Sequence, residues 1–245
     1  MLRSDRRYAM RAFALTLLLF AVAFAISMTS DEGGVRFGIR LGRALPLAPL
    51  CAGIAVFLTL GSVRAKVDAL TLESIGRAPT RNNAGAVIGG AIFALIAAGA
   101  VGVSSRIDIE AIFPSFGAGP HIRWDGSAFV DSERGLRFDE RGVIAHDLVG
   151  APADVAPARA SHERGSASLA LGFAALAFPL FAAASTRRIS ASVVMTIAAA
   201  AFLTFLAFDA VASGRAPAII VALPQAALLF LAVVEYRRSG WLVPL

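Results

Sequence analysis

Lysine, cysteine and histidine are scarce in this sequence, and each scarcity removes a class of function. The single lysine, Lys66, follows an alanine, which excludes the nucleotide-binding loop in which a lysine directly follows a glycine. The single cysteine, Cys51, excludes an intrachain disulfide and is expected to pack as a small apolar residue. The histidines, His121, His146 and His162, lack the spacing of metal ligands, so we expect no metal site.

Acidic side chains are also rare within the apolar runs of the sequence. The one acidic residue well within such a run is Asp209, and no histidine lies in any of them. Catalysis within a membrane needs nucleophile–base pairs or paired acidic groups, so we expect no enzyme activity. Arg215 lies six residues after Asp209, and both an Arg-paired structural carboxylate and a role in transport stay open for Asp209.

Long apolar runs make up most of the remaining sequence. Hydrophobic residues are 57% of the 245 residues, and the mean hydropathy is +0.71, values that are well above those of a soluble domain. A bilayer span takes about 20 apolar residues. Six windows of that length are present, at 8–28, 41–63, 84–103, 166–184, 189–211 and 216–236. The first run exceeds the apolar core of a signal peptide, so we expect it to remain as an anchor.

Basic residues cluster at the ends of the apolar runs and predict the orientation of the chain. Four segments carry them: Arg3, Arg6, Arg7 and Arg11; Arg64, Lys66, Arg77 and Arg81; Arg187 and Arg188; Arg237 and Arg238. These segments alternate onto one side of the membrane, which predicts that both termini are cytoplasmic. The net charge of +6 is therefore interpreted as a topology signal and not as a sign of nucleic-acid binding.

The one long polar stretch, residues 104–165, predicts a small β-rich insert followed by a linker. It carries seven Arg against ten Asp plus Glu, and its apolar and polar residues alternate as in short strands around a hairpin turn at Asp125–Gly126. Residues 150–165 are rich in Ala and Pro and are expected to link the strands to the membrane. The predicted domains are residues 1–103 with three spans, the outer insert 104–165, and residues 166–245 with three further spans.

A short amphipathic helix is predicted between the second and third spans, at about residues 67–77. Its apolar side is expected to hold Val67, Leu70, Leu72 and Ile75, and its polar side Glu73 and Arg77. Asp68 suits the positive end of the helix dipole, Gly76 suits a left-handed C-cap, and Pro79 stops the helix. Two interpretations stay open from the residues alone, a docking helix for a cytoplasmic partner and an interfacial helix that only closes a loop.

This segment resembles the LptF/LptG (YjgP/YjgQ) family of lipopolysaccharide-export permeases. In that family an acidic residue opens the helix, followed by Leu four, Gly eight and Pro eleven positions later. This chain has Asp68, Leu72, Gly76 and Pro79 at those spacings, with Asp where Glu is usual. Further similar stretches are RYAMRAF at 7–13, LPLAPLCAGIAVFLTLG at 45–61, PL at 179–180 and APAIIVALPQAALLFLAVVEYRR at 216–238.

The resemblance implies the permease subunit of an ABC transporter in the bacterial inner membrane. Its fold would be an all-α membrane protein with six transmembrane helices, a periplasmic β insert between helices 3 and 4, and a cytoplasmic coupling helix between helices 2 and 3. Its implied partners are a separate cytoplasmic ATPase that binds the ATP, a second six-helix permease subunit, a lipopolysaccharide-like lipid and a periplasmic bridge protein. Coupling to the ATPase would fall on Asp68, Leu72, Glu73, Gly76 and Arg77.

Two features of the sequence depart from the family. The insert is about half as long as the family's periplasmic jellyroll, and about sixty residues are too few for eight strands. Asp31 and Glu32 lie where family members place a basic residue for lipid phosphates, and the nearest cation is Arg36. The alternatives are a non-transporting membrane scaffold, as a degenerate paralogue, and another class of lipid-transport permease.

Overall fold

The computed structural model shows eight α-helices in the part of the chain that it describes, which comprises residues 3–29, 37–76, 78–104, 107, 122–124, 129–131, 136–139, 142–145, 155–186, 191–212 and 216–239. The helices are α1 (Arg3–Thr29), α2 (Phe37–Ala44), α3 (Ala48–Gly61), α4 (Val63–Ser74), α5 (Pro79–Val103), α6 (Val155–Ser185), α7 (Ala191–Ala212) and α8 (Ala222–Ser239). Short 3-10 turns at Leu45–Leu47 and Ala218–Val221 lead into α3 and α8.

Five of these helical segments are long and apolar enough to cross a membrane. They are Asp5–Thr29, Arg40–Gly61, Asn83–Val103, Arg164–Ser185 and Ala218–Arg238, within a few residues of five predicted windows. In α7 the apolar section found among the described residues is Met195–Ala207, which is shorter than a span. The chain is therefore a multi-pass helical membrane protein, and the predicted count of six spans stays a prediction.

The helices pack through small side chains. Helix α6 packs on α3, α5 and α8, and α1 packs on α5 and α3. The buried residues of these contacts are mostly alanines, including Ala12, Ala52, Ala94, Ala175 and Ala232. Without a hydrophobic driving force between helices in lipid, association depends on close approach and van der Waals contact, which small residues allow.

A close approach of two helix backbones involves Gly85 and Gly89 of α5. A Cβ atom at either position would come within 3.0 Å of backbone atoms of α1, at Asp5 and at Ala9 respectively. Only glycine fits at such distances, so the two glycines let the backbones of α1 and α5 touch. The Gly-xxx-Gly spacing seen in the sequence is thus a packing feature of this helix pair.

Four short strands lie within the predicted insert and form one antiparallel sheet. They are β1 (Ile122–Trp124), β2 (Phe129–Asp131), β3 (Leu136–Asp139) and β4 (Gly142–Ala145), paired in chain order. The register places Trp124 opposite Phe129, and Phe129 opposite Phe138. The predicted turn at 125–126 lies outside the described residues, between β1 and β2. The location of this sheet on the outer side of the membrane belongs to the proposal below.

Helix α6 begins earlier than expected. The sequence predicts a linker up to residue 165, but residues from Val155 onward are helical, so the linker assignment is wrong for 155–165. Alanine is the best helix former, and Pro157 falls in the first turn, where its missing N–H has no intrahelical partner to lose. The extra turns place Arg164 beside the end of α5: its Nη1 donates to the carbonyl oxygens of Ser104 at 2.5 Å and Ile107 at 3.0 Å.

Candidate functional site

Helix α4 is the segment that the sequence analysis marks for function, and its limits follow from local chemistry. Gly61 ends α3, and Ser62 adopts an extended backbone (φ −66°, ψ 144°) that breaks the chain into two helices. At the other end Gly76 has φ +85°, a left-handed conformation that favours glycine, and its N–H donates to the carbonyl of Glu73 at 2.9 Å. Ala78 is extended, as a residue before proline prefers, and α5 starts at Pro79.

One side of α4, its inward face, lies against the protein and consists of Ala65, Asp68, Ala69 and Leu72. These four residues line a small cleft together with residues of α1, α3 and α5, namely Asp5, Tyr8, Leu60 and Asn83. Ala65 is 6% exposed and belongs to the same buried cluster as Tyr8. The two alanines keep the inward face flat, so α4 can approach the other helices closely.

A side-chain hydrogen bond joins this face to α1. The Tyr8 hydroxyl donates a hydrogen bond to Oδ2 of Asp68, sixty positions later in the chain. Tyr8 is 7% exposed and its neighbours in the cluster are Ala12, Val56 and Ala86. A hydrogen bond between side chains of two helices restricts how the helices can move relative to each other. The bond therefore fixes the side of α4 that carries Asp68 to the first turns of α1.

The opposite side of α4, its outward face, is exposed and carries an apolar stripe. Val63, Val67 and Leu70 are 80%, 55% and 64% exposed, and the polar, exposed Ser74 follows them at the end of the helix. The exposed cations Arg64 and Lys66 lie on its two flanks. Apolar side chains in this number at the surface mark a contact with lipid or with another protein.

The predicted site residues do not share one face. Asp68 and Leu72 lie on the inward face, Glu73 is half-buried beside it, and Gly76 forms the C-terminal turn. Arg77, which was expected on the polar side of the helix with Glu73, lies outside the described residues. The structure therefore brings Asp68 and Leu72 together with α1 and leaves the outward face to other residues.

Two expectations about this helix are wrong. The apolar side was expected to unite Val67, Leu70, Leu72 and Ile75, but Leu72 lies about 140° around the helix from Val67, on the buried side. Asp68 was expected in the first turn, but α4 starts at Val63, so Asp68 is in the second turn. The dipole argument for Asp68 does not hold at that position, and Tyr8 accounts for its placement instead.

Tyr8, Asp5 and Asn83 contribute to this site and were not predicted from the sequence. A contact between α1 and α4 across sixty residues has no local sequence signal. The one available hint was angular: Asp68 falls on the side of the helix that also carries Leu72 and Ala65. An acidic residue on a face that also packs needs a polar partner, which is what the structure supplies.

Among the described residues, the other candidates give no second site. Cys51 is buried and free, and the described residues hold no group of three or more His, Cys, Asp or Glu side chains able to bind a metal ion. The side chains of Asp209 and His162 lie outside the described residues, as do Asp31, Glu32, Arg36, His121, His146 and Arg215 entirely. A polar contact between α7 and α8 joins Gln225, whose Nε2 donates, to Oγ1 of Thr204 at 2.8 Å.

The fold and this site define the class as a multi-pass α-helical membrane protein with a short helix between two of its spans. Comparison with models of known protein families and with characterised proteins gives no match. Any narrower assignment is a proposal, made from the residues and geometry described above.

Proposed function

We propose that this chain is the permease subunit of an ABC transporter that extracts or exports a lipopolysaccharide-like lipid from the bacterial inner membrane, powered by a separate ATPase. The observation that carries the proposal is α4, a helix that lies between two candidate spans and presents an apolar outward face. The resemblance of Asp68, Leu72, Gly76 and Pro79 to the LptF/LptG pattern supports it. So does Gly76, whose left-handed backbone is the one that this pattern needs from a glycine.

The outward face of α4 suits the docking of a helix into a groove. Val63, Val67 and Leu70 follow the i, i+4, i+7 spacing with which an amphipathic helix anchors in an apolar groove of a partner. The flanking cations Arg64 and Lys66 fit a groove with an acidic rim. The occupant of this face is proposed to be the cytoplasmic ATPase, and burial in the lipid headgroup region is the competing outcome.

The proposed topology has six spans, with α7 as the fifth and both termini in the cytoplasm. Arg237 and Arg238 at the end of α8 lie on the same side as α4 and its cations under this arrangement, in agreement with the positive-inside rule. The strand segment, which belongs to a net acidic part of the chain, is then periplasmic. A second six-helix subunit, identical or different, completes the transporter.

One observation favours a second candidate, a membrane scaffold that keeps the fold without moving a lipid. The described strands have three or four residues each and form one four-stranded sheet. A jellyroll that passes a lipid to a bridge protein has eight strands in two sheets. If the shorter insert does not make that transfer, the chain would retain ATPase docking or membrane assembly alone.

Docking on the outward face is tested by labelling and by binding. In a Cys51→Ala background, which has no cysteine, Leu70→Cys is exposed to a membrane-impermeant maleimide in inside-out vesicles. We expect rapid labelling without the ATPase and protection when the purified cognate ABC ATPase is added. Protection without the ATPase would place the face in lipid and contradict the proposal. Labelling that the ATPase does not change would equally contradict it.

Charge variants give the matched comparison. Leu70→Glu on the outward face should reduce ATPase co-purification at least tenfold, since it puts an unpaired carboxylate into an apolar groove. The control Arg238→Glu changes an exposed charge at the end of α8 and should leave co-purification unchanged. A lipid-release assay distinguishes the scaffold from the transporter. A complex that binds the ATPase and hydrolyses ATP without releasing lipid would favour the scaffold.

A further inference from the structure

We propose that Tyr8 and Asp68 form the link that carries movement of α4 into the first membrane span. In this proposal Asp68 is a positioning residue inside the permease and does not contact the ATPase. The inference rests on the proposed function and assigns separate tasks to the two faces of α4. The outward face binds the partner, and the inward face transmits its displacement.

The placement of Asp68 supports this division. Its carboxylate accepts the hydrogen bond of the Tyr8 hydroxyl, and Asp68 lies in a cleft that is also lined by Leu60 of α3 and Asn83 of α5. Val67 and Leu70, the residues available to a partner, lie on the opposite side of the helix. A residue that is held in a cleft on the protein side cannot at the same time enter a groove on the outer side.

The part of α1 that carries Tyr8 packs closely against α5. Tyr8 lies between the two α1 residues, Asp5 and Ala9, whose backbone touches Gly85 and Gly89 of α5. Protein interiors are close-packed and transmit displacement well. A pull on the Tyr8 hydroxyl therefore acts on α1 and α5 together, at the end where both candidate spans begin.

The small residues of α4 make the link short. Ala65 and Ala69 lie on the inward face on either side of Asp68, one helical turn apart. Larger side chains there would hold α4 away from α1 and lengthen the path between the two helices.

The link itself is tested without any partner, in the whole chain in lipid nanodiscs. Spin labels are placed at two exposed positions, Arg7 on α1 and Ser74 on α4, in the Cys51→Ala background. Tyr8→Phe removes only the hydroxyl and should at least double the width of the measured distance distribution. Tyr236→Phe removes a hydroxyl from the same apolar cluster and should leave the width unchanged. An unchanged width in Tyr8→Phe would overturn the link.

The role of the link is tested with the purified cognate ABC ATPase. Tyr8→Phe and Asp68→Ala should each keep ATPase binding within twofold and reduce permease-stimulated ATP hydrolysis at least fivefold. Because the two residues act through one bond, the double variant should be no worse than either single variant. Asp68→Asn keeps an oxygen acceptor for the hydroxyl and should recover most of the stimulation.

Failure of the link and failure of the function give different results. If the unaltered protein neither binds the ATPase nor stimulates it, the proposed function falls. If the unaltered protein does both and Tyr8→Phe does so equally well, only the link falls. A loss of ATPase binding in Asp68→Ala that Tyr8→Phe does not share would make Asp68 a direct contact and would also overturn the inference.

Discussion

Replacing Gly89 by alanine is the sharpest test of the helix packing described here. The added Cβ would lie within 3.0 Å of the oxygen, carbonyl carbon and Cα of Ala9. Those atoms belong to the backbone of α1 and cannot rotate away, so α1 and α5 must separate. Gly99, ten residues further along α5, has open space around its Cβ position and provides the matched control.

The magnitude follows from two opposing effects. Alanine is favoured over glycine in a helix by about 1 kcal/mol, and both variants gain this. Overpacking typically costs about 1–3 kcal/mol, and only Gly89→Ala bears it. The two variants should therefore differ by about 1–3 kcal/mol in the free energy of unfolding, with Gly99→Ala the more stable, which is about 5- to 150-fold in the unfolding equilibrium.

Reversible unfolding by SDS in mixed micelles, followed by far-UV circular dichroism, measures this difference. Gly85→Ala should behave like Gly89→Ala, because its Cβ would meet the backbone of Asp5. Gly90→Ala should be milder, since the nearest atom is a methyl group of the Val56 side chain. If Gly89→Ala and Gly99→Ala unfold at the same SDS fraction, the close contact of α1 and α5 is wrong.

Three other variants test separate contacts. Arg164→Ala removes both bonds to the carbonyls at the end of α5 and should cost about 1.5–3 kcal/mol of stability; in SDS unfolding, equal midpoints for Arg164→Ala and for the unaltered protein would count against a role of the guanidinium. Thr204→Val removes the acceptor of Gln225 and should cost about 0.6 kcal/mol; an additive double variant with Gln225→Ala would show that the two side chains are not coupled. Gly76→Ala forces a Cβ into a left-handed backbone and should destabilise the end of α4 by about 1 kcal/mol. The control is Gly61→Ala, at a position with open space and no positive φ. Equal rates of proteolysis after α4 in the two variants would refute this prediction.

The membrane helices were predictable because their signal is simple. A run of about 20 apolar residues has one stable arrangement in a bilayer, a helix that satisfies its own backbone. The turn between α4 and α5 was predictable for a similar reason. Gly76 permits a left-handed backbone that other residues rarely adopt. Pro79 restricts its own φ and starts α5. Both effects are independent of the neighbouring residues.

The orientation of α4 was not predictable from the size of its apolar side chains. Its inward face uses Ala65 and Ala69, which carry little hydrophobic signal, while the larger Val67 and Leu70 are exposed. In a soluble helix the larger apolar residues mark the buried side, and that rule fails where a helix borders a membrane or a partner. The start of α6 was missed because the Pro and Ala content of residues 150–165 fits both a linker and a helix whose proline lies in the first turn.

The stability that is lost when the Tyr8–Asp68 bond is broken can be compared with the loss of ATP hydrolysis. This comparison distinguishes a bond that only stabilises the fold from a bond that transmits movement of α4. Interhelical hydrogen bonds in membrane proteins contribute about 0.6 kcal/mol on average, so Tyr8→Phe should destabilise the protein less than Gly89→Ala does. If the bond served stability alone, its effect on ATP hydrolysis would follow this small loss and would also appear in the equally destabilised Thr204→Val. We expect instead that Tyr8→Phe loses at least fivefold of the stimulated hydrolysis and that Thr204→Val loses less than twofold at similar stability. Equal losses of stimulation in the two variants would assign the bond to stability and leave α4 without a route into α1.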